Sequence, residues 1–272
     1  MIRLIVDSNS QIPPNLRTQY AIDVIPLTIT VDGESFLEGE QIDLAGITQA
    51  LERSAVVGSS TPSPGQFLEA YERAAADGCR GVLSVHAGGR ASGTANAARV
   101  AAGLASLPAD VVDTGTASFP VALCAWAAGE VLASGGTAAE AAAAARDTAA
   151  SVDNVFIVGT LSLAARGGRL ASDVKPGDVP VLALTDGTMQ ALGRVCDVDA
   201  AVDAMADRVQ ARAQGRRLRV GVGHLAAGHL AAALEAALRE RVEIEQLVRY
   251  DVGPSVAVHT GLGTVGCVFL AR

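Results

Sequence analysis

Residues 82–104, VLSVHAGGRASGTANAARVAAGL, are the part of this 272-residue sequence from which the rest can be read. They open on a short apolar run, residues 82–85, which suits a buried strand. A glycine-rich turn follows, His86-Ala87-Gly88-Gly89-Arg90, and Ser92-Gly93-Thr94 then opens a helix. Strand, glycine turn and helix start in that order make an anion site. The first N–H groups of a helix lack intrahelical partners, and the helix dipole favours negative charge there. The hydroxyls of Ser92 and Thr94 extend that set of donors. The plainer reading makes Ser92 an N-cap, and this stretch alone leaves both open.

The same rhythm runs upstream. Residues 2–6 are a continuous apolar run ending in Asp7-Ser8-Asn9-Ser10, as expected of a buried parallel strand with polar residues at its carboxyl end. Pro13-Pro14 opens a short helical turn. Residues 23–31 read as a strand interrupted at Pro26, with a turn at Asp32-Gly33, and residues 44–51 have helical spacing behind Asp43. Residues 58–64, GSSTPSP, read as a polar loop that feeds a helix over 66–76, with Ser63 as N-cap and Pro64 in the first helical position. Downstream, Val111-Val112-Asp113-Thr114 is another strand, whose polar end opens a helix over about 117–132. Thr137 caps an alanine-rich helix that ends near residue 150. This alternation predicts a parallel sheet with helices on both faces.

After residue 152 the pattern changes. A strand over 155–158 and a short helix over 160–166 stop at Gly167-Gly168. Residues 179–184 and 189–195 flank Asp186-Gly187, a hairpin, so antiparallel pairing is expected here. Helices over 198–213 and 226–238 alternate with strands over 218–222 and 242–248. Residues 255–259 read as a late strand, followed by a glycine-rich turn and a last strand over 265–270. The sequence therefore predicts two α/β domains. Residues 1–150 carry a parallel sheet flanked by helices, residues 151–272 a mixed or antiparallel sheet with helices, and the ligand cleft lies between them.

Composition narrows the function. Half of the residues are hydrophobic, only 3% are aromatic, and the net charge is −8, a sign that does not suit nucleic acid or an anionic membrane surface. Cys79, Cys124, Cys196 and Cys267 lie far apart among apolar neighbours and are expected to be buried free thiols. The opening MIRLIVD reaches a carboxylate too soon for a signal peptide. The uncharged run at residues 114–129 is too short to span a bilayer and contains Pro120. The expectation is a cytoplasmic protein with no stable membrane insertion. Lys175 is the sole lysine and sits beside Pro176-Gly177 in an expected surface turn.

Several chemistries find no support. There is no GxxxxGK[ST] loop and no Gly-x-Ser-x-Gly elbow, and Asp7-Ser8-Asn9 lacks a second aspartate. His224 and His229 are five apart, which is poor for one helical face, so no metal site is expected. Gly221-Val222-Gly223-His224-Leu225-Ala226 fits GxGxxA, but the acid that should end the next strand is badly placed. Asp251 comes late, and Glu243 and Glu245 come at its start. In a parallel sheet, ligands bind beyond the carboxyl ends of the strands. Asp7-Ser8, Ser59-Ser60-Thr61, residues 90–94 and Asp113-Thr114 should therefore crowd one edge. A rim made mostly of hydroxyls suits holding an anion more than acid–base chemistry, although each hydroxyl alone also fits a turn or cap. His259-Thr260-Gly261-Leu262-Gly263-Thr264 ends the late strand in a turn whose glycines allow close backbone approach. His259 there reads equally as a packed side chain or a ligand group.

Taken in order, these pieces resemble the DegV family over nearly the whole chain. Leu4-Ile-Val-Asp-Ser8 resembles its opening strand, and Val24-Ile-Pro-Leu-Thr28 with Asp32-Gly33-Glu34 its next segment. Ser59-Ser-Thr-Pro-Ser-Pro-Gly-Gln-Phe67 stands where the family has Thr-Ser-Gln-Pro-Ser-Pro-Gly and an aromatic. Ser92-Gly93-Thr94, Asp113-Thr114 with Ala117-Ser118, Gly159-Thr160-Leu161, Arg166-Gly-Gly-Arg169 and Gly253-Pro254 with His259-Thr260-Gly261 complete the series. Ser59 replaces the usual Thr, Gly88-Gly89 fall where the family often has serines, and Leu262 replaces a Pro.

The resemblance implies a two-domain α/β protein that binds a long-chain fatty acid. Its best-understood relatives are lipid-binding subunits of a bacterial fatty acid kinase, which feeds phospholipid metabolism. They present the carboxylate to a separate ATP-binding kinase subunit that makes the acyl phosphate. By that resemblance Ser59 or Ser60, Ser92 and His259 would hold the carboxylate, beside Thr61, Gly93, Thr94 and Thr260, with no cofactor, no metal and no catalytic residue in this chain. Burying some fourteen methylenes at roughly 0.8 kcal/mol each is worth on the order of 11 kcal/mol before ordering costs, so the tail would supply affinity and the head contacts orientation. The tail would lie in a tunnel between the helices of the two halves. The other open reading is a stand-alone hydrolase or transferase acting on a small carboxylate or phosphate ester, with His259 as base.

Overall fold

The structure, a computed structural model, describes residues 1–166 and 178–271. Two compact units emerge: Met1–Asp43 with Val56–Ala150, and Leu44–Ala55 with Ser151–Arg272. The segment Leu44–Ala55 thus groups with the second unit, although the chain returns to the first after it.

In the first unit, β1 (Ile2–Asp7) runs into a tight 3-10 turn at Ser8–Ser10, then α1 (Pro14–Gln19) and β2 (Ile22–Ile25). β3 (Thr28–Val31) and β4 (Glu34–Leu37) follow, and α2 (Leu44–Glu52) interrupts on behalf of the other unit. The chain continues through β5 (Val57–Ser60), α3 (Pro64–Ala76), β6 (Gly81–His86), α4 (Thr94–Ala102), β7 (Ala109–Asp113), α5 (Phe119–Ala133) and α6 (Ala138–Ser151). The main sheet is parallel with order β2-β1-β6-β7.

Its strands are apolar on both faces because both faces are covered. Leu4, Val6, Leu83 and Val85 pack with Val121, Cys124 and Ala125 of α5 and Ala141, Ala142 and Ala145 of α6. The alternate residues Ile5 and Val82 pack with Phe67, Ala70 and Tyr71 of α3 and Ala98 and Ala101 of α4. The helix starts follow their sequence signals. Ser63 and Gln66 form a reciprocal capping box ahead of α3, with Pro64 in its first turn. Thr137 Oγ1 accepts the Glu140 N–H at 3.2 Å, and the Glu140 carboxylate accepts the Thr137 N–H at 2.8 Å.

One expected loop is a strand. Residues 57–60 form β5, which pairs antiparallel with β3, and β3 pairs with β4 on its other edge. Gly58-Ser59-Ser60 has little strand propensity of its own, and the ladder to β3 overrides it. Antiparallel pairing therefore begins in the first unit as well as after residue 152.

The second unit contains β8 (Asp153–Ile157), α7 (Leu161–Arg166), β9 (Val179–Thr185), β10 (Thr188–Val195), α8 (Val198–Ala213), β11 (Leu218–His224), α9 (Gly228–Arg241), β12 (Ile244–Asp251), α10 (Pro254–Thr260) and β13 (Val265–Ala271). Its mixed sheet has the order β10-β9-β8-β13-β11-β12, and among the described residues only β11 and β12 pair in parallel. Asp186 and Gly187 turn the β9–β10 hairpin with φ of +49° and +74°, as a two-residue turn requires. The core joins Val155, Val220, Val222 and Cys267 of the sheet to Met205 and Val209 of α8 and Leu230 and Leu234 of α9.

Two further expectations are corrected. Residues 255–259, read as a strand, lie in α10: Gly253 caps it, Pro254 opens it with the φ a first helical turn needs, and Gly261 ends it at φ +75°. A five-residue apolar run does not by itself separate helix from strand. Cys79, Cys124 and Cys267 are buried, but Cys196 is exposed in the short bend between β10 and α8. Gly167-Gly168, Arg169 and Lys175 with Pro176-Gly177 lie outside the described residues. Among the described residues, no helix is long and apolar enough to cross a membrane.

Candidate functional site

From β1 the chain moves outward to β2 on one side, and it later returns to lay β6 on the other side of β1. The order reverses between β1 and β6, and the carboxyl ends at such a switch point flank the usual ligand crevice of an open α/β sheet. Asp7 ends β1, His86 ends β6, and the turn after His86 leads to Ser92-Gly93-Thr94.

Thr94 is the first residue of α4 and is fully buried. Its Oγ1 lies 2.7 Å from Ser92 Oγ, and its N–H donates to the same oxygen at 3.2 Å. The N-cap position belongs to Gly93, which offers no side chain, and Ser92 Oγ takes the first helical N–H in its place, as a capping hydroxyl does. Thr61, from the loop after β5, comes up to this group: its methyl carbon stands 3.9 Å from where a Cβ on Gly93 would be. Thr61, Ser92, Gly93 and Thr94 therefore meet at one end of the first sheet. Ser92 is half-buried, and Gly93 and Thr61 are exposed. Ser59 and Ser60 precede them in β5, where neighbouring side chains point to opposite faces.

Other members of the expected rim turn out to brace the fold. Ser8 Oγ donates to the buried Glu38 carboxylate and accepts the Leu27 N–H at 2.9 Å. Thr114 Oγ1 donates to the His86 carbonyl at 2.9 Å. Asp113 accepts the Gly115 N–H at 2.9 Å and pairs with Arg99 at 3.3 Å. Asn9 Oδ1 takes the Ser118 N–H at 2.7 Å and holds Ser118 at φ +66°, a region that non-glycine residues avoid.

In the second unit, His259 is half-buried in the last turn of α10. Thr260 Oγ1 donates to the Val256 carbonyl at 3.2 Å, and the Thr260 carbonyl accepts the Thr160 N–H at 2.9 Å. Thr264 Oγ1 donates to the Gly261 carbonyl at 2.7 Å and accepts the Gly159 N–H at 3.2 Å. A Cβ on Gly159 would stand 1.6 Å from the Leu262 carbonyl oxygen, so this clasp needs a glycine there. Two motifs a hundred residues apart in sequence form one local structure.

The GxGxxA stretch does open a β11–α9–β12 parallel unit, and Asp251 does end β12, opposite His224. Yet a Cβ on Gly223 would stand 2.4 Å from the Tyr250 ring, so that glycine makes room for a tyrosine. Among the described residues no cluster of His, Cys, Asp or Glu could hold a metal ion.

A buried polar line escaped the sequence reading. His86 Nδ1 lies 2.9 Å from Asp7 Oδ2, His86 Nε2 lies 2.5 Å from Ser84 Oγ, and Tyr71 donates its hydroxyl to Ser84 at 2.9 Å. All four residues are inaccessible to solvent. Burial pushes the Tyr71 hydroxyl up to about 12, with the Ser84 hydrogen bond opposing. One signal was available: Ser84 and His86 sit two apart in an apolar run, hence on one face of the strand. Ser84, His86 and Asp7 reproduce the order of a nucleophilic triad. A serine with no solvent access cannot receive a substrate, so this line does not support hydrolysis.

Fold and site define a doubly wound α/β protein with a hydroxyl cluster at the switch point of its first sheet. A family model described as "Uncharacterised protein, DegV family" matches residues 1–272, and the chain belongs to the DegV family. It is 35% identical to a DegV domain-containing protein of Streptomyces coelicolor, over 100% of this chain and 99% of that one. Among solved structures it is similar to a fatty-acid-binding DegV family protein from Thermus thermophilus, with a TM-score of 0.93, 30% identity and full coverage of both chains. A DegV lipid-binding protein from Thermotoga maritima aligns with a TM-score of 0.92 at 25% identity, over 100% of this chain and 99% of that one.

Proposed function

We propose that this protein binds a long-chain fatty acid, buries its acyl chain, and presents the carboxylate to a separate ATP-binding kinase subunit for acyl phosphate formation in the cytoplasm. The observation that carries this reading is the meeting of Thr61 with Ser92, Gly93 and Thr94 at the switch point. A carboxylate there accepts hydrogen bonds from the clustered hydroxyls and lies at the positive end of the α4 dipole. The likeness to the fatty-acid-binding Thermus thermophilus protein supports the ligand class. Ser59, Ser60, His259 and Thr260 are further candidate contacts that rest on the family resemblance.

The chain is proposed to have no chemistry of its own. A hydrolase built on the Ser84–His86–Asp7 line finds no access for substrate, because Ser84 is sealed in the core. The test is extraction of the purified protein followed by mass spectrometry, and then incubation with fatty acid and ATP, with and without a fatty acid kinase subunit. A co-purified fatty acid, and acyl phosphate only when the kinase is present, is the expected result. A protein that is repeatedly empty and takes up no added fatty acid overturns the binding role. Acyl phosphate made by the isolated chain overturns the division of labour.

A further inference from the structure

We propose that His86 is a positioning residue for the head-group loops of the first unit, acting through Asp7, Ser84 and Tyr71. The inference rests on the fatty-acid reading above and says what sets the geometry of that site.

The imidazole is tied on every side. Its two nitrogens meet Asp7 Oδ2 at 2.9 Å and Ser84 Oγ at 2.5 Å. The Phe67 ring meets it edge-on, with centroids 4.9 Å apart and planes at 76°. Its backbone carbonyl accepts both the N–H and the hydroxyl of Thr114, at 3.2 and 2.9 Å. The next residue continues the frame: the Ala87 N–H donates to Asp7 Oδ2 at 3.0 Å, and the Ala87 carbonyl accepts the Ala95 N–H of α4 at 3.3 Å.

These ties run to the two elements that carry the candidate site. Phe67 and Tyr71 lie one turn apart on α3, the helix that follows Thr61. Besides meeting Ser84, the Tyr71 hydroxyl lies 3.4 Å from the Ala98 carbonyl, one turn into α4 from Thr94. The line from Tyr71 to Asp7 thus fixes α3 and α4 against β6 and β1, and with them the approach of Thr61 to Gly93. Stability alone does not explain it. Asp7 Oδ1 is buried with no hydrogen-bond partner, and buried ionisable groups are often no better than apolar ones of the same volume. What a directional polar line supplies, and apolar packing does not, is a fixed angle and distance between the helices it joins.

The experiment compares the affinity of the full-length chain for palmitate and for 1-hexadecanol, which has the same tail without the carboxylate. Wild type, Tyr71→Phe and His86→Gln are measured together with their melting temperatures. In Tyr71→Phe, palmitate affinity should fall by about three- to tenfold while hexadecanol affinity stays within about twofold; His86→Gln should shift the same ratio further. Equal losses for both ligands, or a lower melting temperature with the ratio kept, overturn the positioning role and leave the fatty-acid reading standing. A wild type that does not bind palmitate, or does not prefer it, overturns that reading and this inference with it. Should His86→Gln fail to fold, Tyr71→Phe, which keeps the buried His86–Asp7 pair, decides alone.

Discussion

Gly88 packs against Asp113 so closely that a Cβ on Gly88 would stand 1.9 Å from Asp113 Oδ1. That oxygen accepts the Gly115 N–H at 2.9 Å, and the other oxygen pairs with Arg99 at 3.3 Å. The glycine and the aspartate are therefore one feature, which a serine at position 88 would break. Gly88→Ser is expected to destabilise the protein by about 1–3 kcal/mol. Combining it with Asp113→Ala should cost less than the sum of the two single changes, because the clash is already gone. Urea unfolding of the four proteins checks this, and strict additivity would refute the coupling.

Ser92→Ala and His259→Ala should impair kinase-dependent phosphorylation more than lipid retention. The tail contribution, on the order of 11 kcal/mol, survives both changes. One head-group contact of about 1.5–3 kcal/mol is lost, together with the carboxylate's orientation. Because Ser92 Oγ also accepts the first N–H of α4, Ser92→Ala should lower stability as well, by up to the roughly 1 kcal/mol of a lost cap. Bound lipid, melting temperature and phosphorylation are read on the same samples. Normal phosphorylation in both variants removes these residues from the head-group site.

Tyr71 makes alkaline stability predictable. Burial lifts its hydroxyl from 10.0 to about 12. The folded state therefore keeps a proton that the unfolded state releases first. Its contribution is complete below pH ~10 and is lost as pH rises toward ~12, by roughly 2–3 kcal/mol in all. Denaturation midpoints across that window should fall more steeply for wild type than for Tyr71→Phe. Parallel curves would show that Tyr71 ionises without opposing folding.

Thiol titration separates the cysteines. Cys196 alone is exposed, so one thiol per chain should react in the native protein and the other three only on unfolding. A hydrogen bond to Asp197, together with the charge of Asp197, raises the Cys196 thiol above its ordinary value. Asp197→Asn should thus speed its reaction near neutral pH. Asn can still accept the Ala200 N–H that caps α8, now held at 2.8 Å, so the helix should be kept. An unchanged rate would show that the carboxylate does not govern this thiol.

Local signals carried much of the fold. Apolar runs marked β1, β6 and β13. Ser63 with Pro64, Thr137, and Asp186-Gly187 marked two helix starts and a hairpin, because caps and turns are written within four residues of themselves. The order of short motifs was enough to suggest the family. It also singled out Ser92-Gly93-Thr94, whose strand–turn–helix context is local.

Tertiary structure decided what depends on residues far apart in the chain. Residues 57–60 are a strand because β3 lies beside them, and residues 255–259 are helical although their apolar pattern suits either state. Leu44–Ala55 joins the unit that the chain builds a hundred residues later. Ser8, Asp113 and Thr114 read as ligand hydroxyls or carboxylates until their partners in the fold are visible. The line from Tyr71 to Asp7 joins residues far apart in the first unit's sequence, and His86 read as part of a turn while Asp7 read as part of a rim. A hydrogen bond between residues 79 positions apart leaves no periodicity in the sequence. It exists only because parallel pairing sets the ends of β1 and β6 side by side.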